Sequence, residues 1–255
     1  MYPIKCLPLP ESVPSGIEAW LLELDLHLPV PDSELALVSE EERLRALRFR
    51  RHEDRVRSVG ARAALRRLLG AHLMLPPSEL RFVVNPYGKP QLDVESGIEF
   101  NVSHAGSFAL IALSTSGMGG QVGVDIEQAD RAADGQSLAE YVFSPFERRF
   151  APQTGEDFIQ RWAAKEAVLK ALGYGIPDHL QSVSVLPADG EAYEITHGHA
   201  EWPEIKAWRL PAPDGYAAAL ALTTHDPFLA REKYVKASRL ALLGTDDAKL
   251  FDTFP

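Results

Sequence analysis

The sequence predicts an α+β chain built as two similar lobes, and three observations carry that expectation. Ser39-Glu40-Glu41-Glu42-Arg43 reads as a helix start, and Gly70 closes a helix after Leu65-Arg66-Arg67-Leu68-Leu69. Ser144-Pro145-Phe146-Glu147-Arg148 resembles the first start, and Gly173 closes Val168-Leu169-Lys170-Ala171-Leu172 in the same way. The two intervals, 31 and 29 residues, are nearly equal, and short strand-like runs follow each helix. The expected division is residues 1–115, residues 116–230, and a tail over 231–255 with no assigned structure. Two such lobes would place a ligand cleft at their interface.

The elements follow from pattern and punctuation. Residues 17–26 alternate apolar and polar, as a half-buried strand does. Ser39 supplies a capping hydroxyl, acids fill the first turn, and Glu42 stands at the capping-box position. A long helix is expected through Val56–Leu75, where Leu65, Leu68, Leu69, His72 and Leu73 recur at helical spacing, and Pro76-Pro77 ends it. Leu80–Val84 and Phe100–Val102 read as strands, the first leading into the turn Asn85-Pro86-Tyr87-Gly88-Lys89-Pro90. Phe108–Leu113 reads as a buried strand, followed by a Ser/Gly-rich loop at 114–120. In the second half, strands are expected at Ser182–Leu186, Ala192–Ile195, Ile205–Leu210 and Tyr216–Thr223.

Composition narrows the function. The 255 residues, 45% hydrophobic and 24% charged, are ordinary for a soluble globular protein with room for a sizeable core. The first eight residues hold no continuous apolar stretch of signal-peptide length, and no run reaches the roughly 18–20 apolar residues of a membrane span. One cysteine, Cys6, precludes an internal disulfide and fits a reducing compartment, so a cytoplasmic location is expected. The net charge of −10 argues against non-specific nucleic-acid binding. Yet ten arginines lie between Arg43 and Arg67 against only Glu53 and Asp54. Such a local basic patch suits a phosphorylated small molecule or an acidic protein.

Two segments carry the chemistry. In Gly123-Val124-Asp125-Ile126-Glu127, a strand puts Asp125 and Glu127 on one face and Val124 and Ile126 on the other. In Trp162-Ala163-Ala164-Lys165-Glu166-Ala167-Val168-Leu169-Lys170, a helix puts Glu166 and Lys170 on one face, four residues apart. Three convergent carboxylates with a lysine one turn beyond suit a hard divalent cation holding a phosphate, since magnesium takes oxygen ligands. Lys89 is presented by a turn, and Ser103-His104 lies at an expected strand exit, where ligand-reading side chains tend to sit.

Taken in order, these segments resemble the surfactin-type 4'-phosphopantetheinyl transferases. The matching pieces are R-F-x-x-x-x-D-R-x-R at 48–57, Y-G-K-P at 87–90, F-N-x-S-H-x-G at 100–106, G-V-D-I-E at 123–127, F-S-x-x-E at 143–147 and W-x-x-K-E-A-x-x-K-A-x-G at 162–173. The resemblance implies a pseudo-twofold α+β protein, each lobe a small, mainly antiparallel sheet packed with a long helix. It implies transfer of the phosphopantetheine arm of coenzyme A to a serine of an apo acyl, peptidyl or aryl carrier protein, with release of adenosine 3',5'-bisphosphate. Asp125, Glu127 and Glu166 would bind Mg2+, with Mn2+ as a tolerated substitute. Glu166, or a water near it, would take the serine proton, and Lys170 would sit on the pyrophosphate. Arg45, Arg48, Ser103 and His104 would hold the 3'-phosphate, Lys89 and Pro90 would border the adenine, and Lys165 would join the coenzyme contacts. Glu42 departs from the pattern, since some relatives carry a lysine there. A tandem of lobes that builds its own interface favours a monomer, with neither membrane nor nucleic acid as partner.

Two other readings stay open on the residues alone. A magnesium-dependent hydrolase would use the same carboxylates and consume coenzyme A with no carrier present. A coenzyme A-binding module would bind without needing Glu166 and Lys170.

Overall fold

The structure is a computed structural model, described over residues 1–85, 88–94, 96–115, 120–129, 135–150, 154–173 and 179–224. Tyr87, most of the expected 114–120 loop and the 231–255 tail lie outside the described residues. Residues 1–224 form one compact unit. Its first sheet is antiparallel, with strands β1 (Ile4–Cys6), β2 (Ile17–Glu23), β5 (Glu99–Ala105) and β6 (Phe108–Ser114) in the order β1-β2-β6-β5. A separate ribbon pairs β3 (Phe82–Val84) with β4 (Pro90–Leu92). The second sheet, also antiparallel, holds β7 (Val122–Gln128), β8 (Val183–Pro187), β9 (Ala192–His197), β10 (Ile205–Leu210) and β11 (Tyr216–Thr223) in the order β7-β11-β10-β9-β8.

The helices are α1 (Asp32–Leu35), α2 (Glu40–Leu47), α3 (His52–Leu73), α4 (Gly135–Val142) and α5 (Gly155–Leu172). The expected capping box forms at α2, where Glu42 N–H donates to Ser39 Oγ and Ser39 N–H donates to Glu42 Oε2. The helix breaks after Leu47, however, and α3 restarts at His52 from an extended Arg51. Every residue from Arg48 to His52 except Phe49 is Arg or His, and the break lets the Arg55 guanidinium reach the Phe49 carbonyl at 2.8 Å. The strands β1 and β4 and the helices α1 and α4 were not expected from the sequence. Each is short, or lacks a periodic apolar pattern long enough to read.

Three apolar clusters organise the molecule. One packs α3 against the first sheet through Val56, Leu65, Leu69, Phe100 and Ile111. A second packs α5 against the second sheet, and its contact is lined by alanines: Ala163, Ala164, Ala167 and Ala171 on the helix meet Ala217, Ala219 and Ala221 on β11. Small side chains there allow a close helix–sheet approach. The third cluster joins the two sheets, with Leu110 and Ala112 meeting Val124, Ile126 and Leu220. Val122, Val124 and Ile126 therefore face the neighbouring sheet, which turns Gly123, Asp125 and Glu127 to the other side of β7.

The basic patch is only partly a surface feature. Arg66 is buried, donating to Glu42 Oε2 and to the carbonyls of Pro77 and Leu80. Arg43 and Arg55 donate to the carbonyls of Leu35 and Phe49, and Arg57 donates to that of Gly106. Arg62 pairs with Glu42 and Arg67 with the buried Glu34. Arg45, Arg48, Arg50 and Arg51 are left exposed. Most of the expected anion patch thus holds the fold together, because a guanidinium carries five donors and can saturate several carbonyls at once.

Candidate active site

The site is built where β5, β7 and α5 meet. Strand β7 brings Asp125 and Glu127 to one face, and α5 crosses that face at Gly123. A Cβ on Gly123 would lie 2.1 Å from the Ala167 carbonyl oxygen and 2.4 Å from the Ala171 nitrogen, so only glycine lets the helix backbone come so near. That approach carries Glu166 to the strand. Asp125, Glu127 and Glu166 each offer an oxygen, and all three oxygens lie within 4.8 Å of one another.

The neighbours orient these carboxylates. The Trp162 indole Nε1 donates to Glu166 Oε1 at 2.6 Å. Lys170 Nζ donates to Asp125 Oδ1 at 2.5 Å and to Ser103 Oγ at 3.0 Å, and lies 3.8 Å from Glu166 Oε2. Ser103 Oγ donates in turn to Asp125 Oδ1 at 2.7 Å. Asp125 is 1% exposed, and its Oδ2 is buried without a hydrogen-bond partner. Burial pushes the Asp125 carboxyl up to about 7, against the pull of Lys170 and with Glu166 adding to the rise. Burial also works against the charge on Lys170, but Asp125 and Glu166 outweigh it and hold that ammonium above the ordinary lysine range.

A divalent cation fits this set. Three convergent carboxylates, all oxygen donors, match what magnesium accepts. A buried carboxylate oxygen with no partner costs free energy that a cation would recover. Asp125, Glu127 and Glu166 are the residues that could hold it.

The first sheet contributes through β5. Asn101 Oδ1 accepts from the Val124 N–H at 2.9 Å, so a side-chain amide stands where a ladder bond between the facing edges β5 and β7 would otherwise run. The turn after β5 is clamped from both sides. Arg57 Nε donates to the Gly106 carbonyl at 2.7 Å, and the Ser107 N–H donates to the Tyr216 hydroxyl. Gly106 has φ +50°, and a Cβ there would meet Tyr216 Oη at 2.0 Å. His104 is exposed at the strand end. Atoms crowding its ring, then the charges of Lys170 and Arg57, hold its pKa below the ordinary histidine value.

Not every expected residue converges. Lys89 Nζ donates to Gln121 Oε1 and to the carbonyls of Val122 and Lys170, tying the turn before β4 to the base of α5 and β7. Pro90 opens β4, half-buried. Arg45 and Arg48 are exposed on and just after α2, and among the described residues neither bonds to the carboxylate cluster. Lys165 is not brought to the cluster. It is fully buried, its Nζ donating to the Val142 carbonyl at 2.9 Å and to Glu147 Oε2. Burial pulls this ammonium down to about 8, against the pull of Glu147. The reason is helical geometry, since neighbours in an α-helix point about 100° apart and Glu166 already faces the strand.

Glu147 is itself structural. It caps Ser144 reciprocally, accepts from the Val185 N–H at 2.9 Å, and is wholly buried. Glu42 does the equivalent at the start of α2, as its capping-box position predicts, which accounts for the departure at this position. Trp162, Asn101, Gly123 and Arg57 had no assigned role in the sequence reading. For Trp162 the signal was present, as the spacing to Glu166 is i,i+4.

The fold is mixed α/β with antiparallel sheets, and its three convergent carboxylates beside a lysine could hold a divalent cation. Residues 121–221 match the 4'-phosphopantetheinyl transferase superfamily model, and residues 32–116 match that of the 4'-phosphopantetheinyl transferase N-terminal region. The 4'-phosphopantetheinyl transferase HetI of Nostoc sp. is 35% identical over 172 residues, 63% of this chain and 70% of HetI. A 4'-phosphopantetheinyl transferase of Bacillus subtilis is 30% identical over 175 residues, 66% of this chain and 75% of its own. Among solved structures, Helicobacter pylori holo-[acyl-carrier-protein] synthase in complex with coenzyme A matches 41% of this chain and 100% of its own, at 21% identity and a TM-score of 0.36. The chain belongs to the 4'-phosphopantetheinyl transferase superfamily.

Proposed function

We propose that this protein transfers the 4'-phosphopantetheine arm of coenzyme A to a serine of an apo acyl or peptidyl carrier protein, releasing adenosine 3',5'-bisphosphate. The observation that carries the reading is the carboxylate cluster of Asp125, Glu127 and Glu166, in which Asp125 Oδ2 is buried without a hydrogen-bond partner. In the reaction the serine oxygen bonds to the phosphorus that bears the pantetheine arm. The bond from that phosphorus to the adenosine 5'-phosphate oxygen breaks, and the electron pair leaves with the nucleotide.

Mg2+ held by Asp125, Glu127 and Glu166 supplies charge neutralisation at the pyrophosphate, and Mn2+ meets the same oxygen ligands. Glu166, oriented by Trp162, takes the serine proton. Lys170 stays an ammonium because Asp125 and Glu166 hold its pKa up, and it neutralises charge gathering on the leaving phosphate. His104, on the α3 side of β5 with Arg57, reads the 3'-phosphate, and Arg45 and Arg48 add positive charge from α2. Lys89 and Pro90 border the adenine.

The same reading divides the chain into lobes over 1–115 and 116–230 related by a pseudo-twofold. Two parallels support it. Each half opens its long-helix segment with a Ser-x-x-Glu reciprocal cap, at Ser39/Glu42 and Ser144/Glu147, and each of those glutamates takes a buried cation from the long helix, Arg66 or Lys165. Each of those cations also lies near a phenylalanine ring, Phe82 or Phe143. The protein works as a cytoplasmic monomer in this reading, and no described helix is long and apolar enough to cross a membrane.

Intact-protein mass spectrometry of an apo carrier protein, incubated with this protein, coenzyme A and Mg2+, tests the function. The carrier is expected to gain the mass of one phosphopantetheine arm, and a chelator should abolish the gain. Coenzyme A consumed with every carrier unchanged would replace the transferase with a hydrolase.

A further inference from the structure

We propose that Asn101 is a positioning residue for the carboxylate cluster. Its side-chain amide holds the β7 backbone at Val124, one residue before Asp125, and so sets where Asp125 and Glu127 stand relative to Glu166. The inference rests on the reading of those three acids as a divalent-cation site, and adds to it a residue from the other sheet.

The first argument is how β7 is secured. One edge pairs with β11 from Val122 to Gln128. One face packs through Val122, Val124 and Ile126 into the cluster that joins the sheets. On the other face lies α5, so close that a Cβ on Gly123 would meet the Ala167 carbonyl oxygen at 2.1 Å. The remaining edge is turned to β5, which belongs to the first sheet. Successive N–H groups along a strand point to opposite edges. The Val124 N–H donates to Asn101 Oδ1 at 2.9 Å on the β5 side, so β11 offers it no partner. Val124 is wholly buried, and a buried N–H left without an acceptor is costly.

The second argument is the fitness of asparagine for this place. Asn101 is 8% exposed, and its backbone is fixed opposite Ala112 of β6, itself a member of the inter-sheet cluster. A backbone N–H only donates, so the amide oxygen is the atom that faces Val124. That oxygen accepts without bringing a formal charge to a strand that already carries Asp125 and Glu127. Ser103, two residues further along β5, also reaches β7, but there side chain meets side chain, at Asp125 Oδ1. Asn101 grips the backbone instead, and therefore places both acids of β7 at once. A ligand constellation needs its members held to within about 0.5 Å.

The test compares wild type with Asn101→Ala, Asn101→Asp and Leu113→Ala by measurements made without turnover. Mn2+ affinity is read by electron paramagnetic resonance with saturating coenzyme A and no carrier. Amide hydrogen exchange at Val124 reads the bond itself, and thermal melts read stability. Asn101→Ala is expected to expose the Val124 amide to exchange and to weaken Mn2+ binding about 10-fold. Asn101→Asp keeps an acceptor, so the amide should stay protected and Mn2+ affinity should not fall. Leu113→Ala removes buried bulk from the α3 side of the same sheet. It should lower Tm while leaving Mn2+ affinity unchanged. If Asn101→Ala does not fold, Asn101→Ser, whose side chain falls short of Val124, takes its place. A freely exchanging Val124 amide with Mn2+ affinity intact would overturn the proposal. So would an equal loss of affinity in Leu113→Ala, or an Asn101→Asp protein as weak as Asn101→Ala. Failure of wild type itself to bind Mn2+ would instead remove the cation site, and this inference with it.

Discussion

Trp162 and Glu166 stand one helical turn apart on α5, and the indole of the first donates to the carboxylate of the second at 2.6 Å. That bond engages Glu166 Oε1, while Oε2 lies 3.8 Å from Lys170 Nζ. The tryptophan of the W-x-x-K-E motif therefore aims the glutamate.

Replacing Trp162 with phenylalanine keeps a ring against Phe158 but removes the donor. Transfer is expected to slow by about 10-fold or more in kcat, with KM for coenzyme A little changed. Steady-state kinetics with a saturating carrier would check this, and an equal rise in KM with kcat intact would place Trp162 in substrate binding.

Asp125 sets a dependence on pH. Its folded carboxyl titrates at about 7, while the unfolded chain ionises it near 3.8. Between those values the folded state holds a proton that the unfolded state has lost. This stabilising contribution is full at low pH and disappears as pH rises through about 7. A cation on the cluster competes with that proton. Mg2+ is expected to raise Tm clearly at about pH 8 and hardly at all at about pH 5.5, and Asp125→Asn should flatten the difference. Scanning calorimetry at the two pH values decides it; equal Mg2+ effects at both would sink the assignment.

Gly123→Ala puts a methyl into the α5 backbone. The helix must retreat, at a cost of about 3 kcal/mol, and Glu166 retreats with it. Urea unfolding should show the loss of stability, and transfer should fall further than the remaining folded fraction explains. A fully active, stable alanine variant would mean that the helix approach does not set the site.

Lys165 offers a test that separates architecture from coenzyme binding. Lys165→Met leaves Glu147 charged and buried with one partner fewer, and such a loss typically costs about 3–5 kcal/mol. The surviving folded enzyme is expected to keep its KM for coenzyme A. A KM raised several-fold at unchanged stability would restore the expected coenzyme contact.

The sequence carried the site better than it carried the roles. Alternation in G-V-D-I-E and the four-residue step from Glu166 to Lys170 are local rules, and both hold in the structure because strand and helix geometry is fixed within a few residues. The Ser39 cap is local in the same sense. The use of a cation is not local. Lys165 and Arg66 read in sequence like ordinary solvated cations, and both are buried in the fold against Glu147 and Glu42. The same limit hid Asn101, whose partner, the Val124 N–H, lies 23 residues away. The break at 48–51 is a local feature, bridged by the Arg55 donor to the Phe49 carbonyl six residues earlier.

The bridge from Asn101 to Val124 has a consequence for how the protein behaves in solution. A sheet margin with unused N–H and C=O groups is a template on which foreign strands can assemble. Here two such margins, β5 and β7, are turned toward each other and joined by the Asn101 amide and by the Ser103–Asp125 hydrogen bond. Asp125 and Glu127, the proposed cation ligands, stand on one of them. Loosening the fastening would uncover two adhesive borders in the same event that scatters the ligands. Poor activity and a tendency to aggregate would then arrive together in the same variants, and screening for solubility alone would select in part for an intact active site.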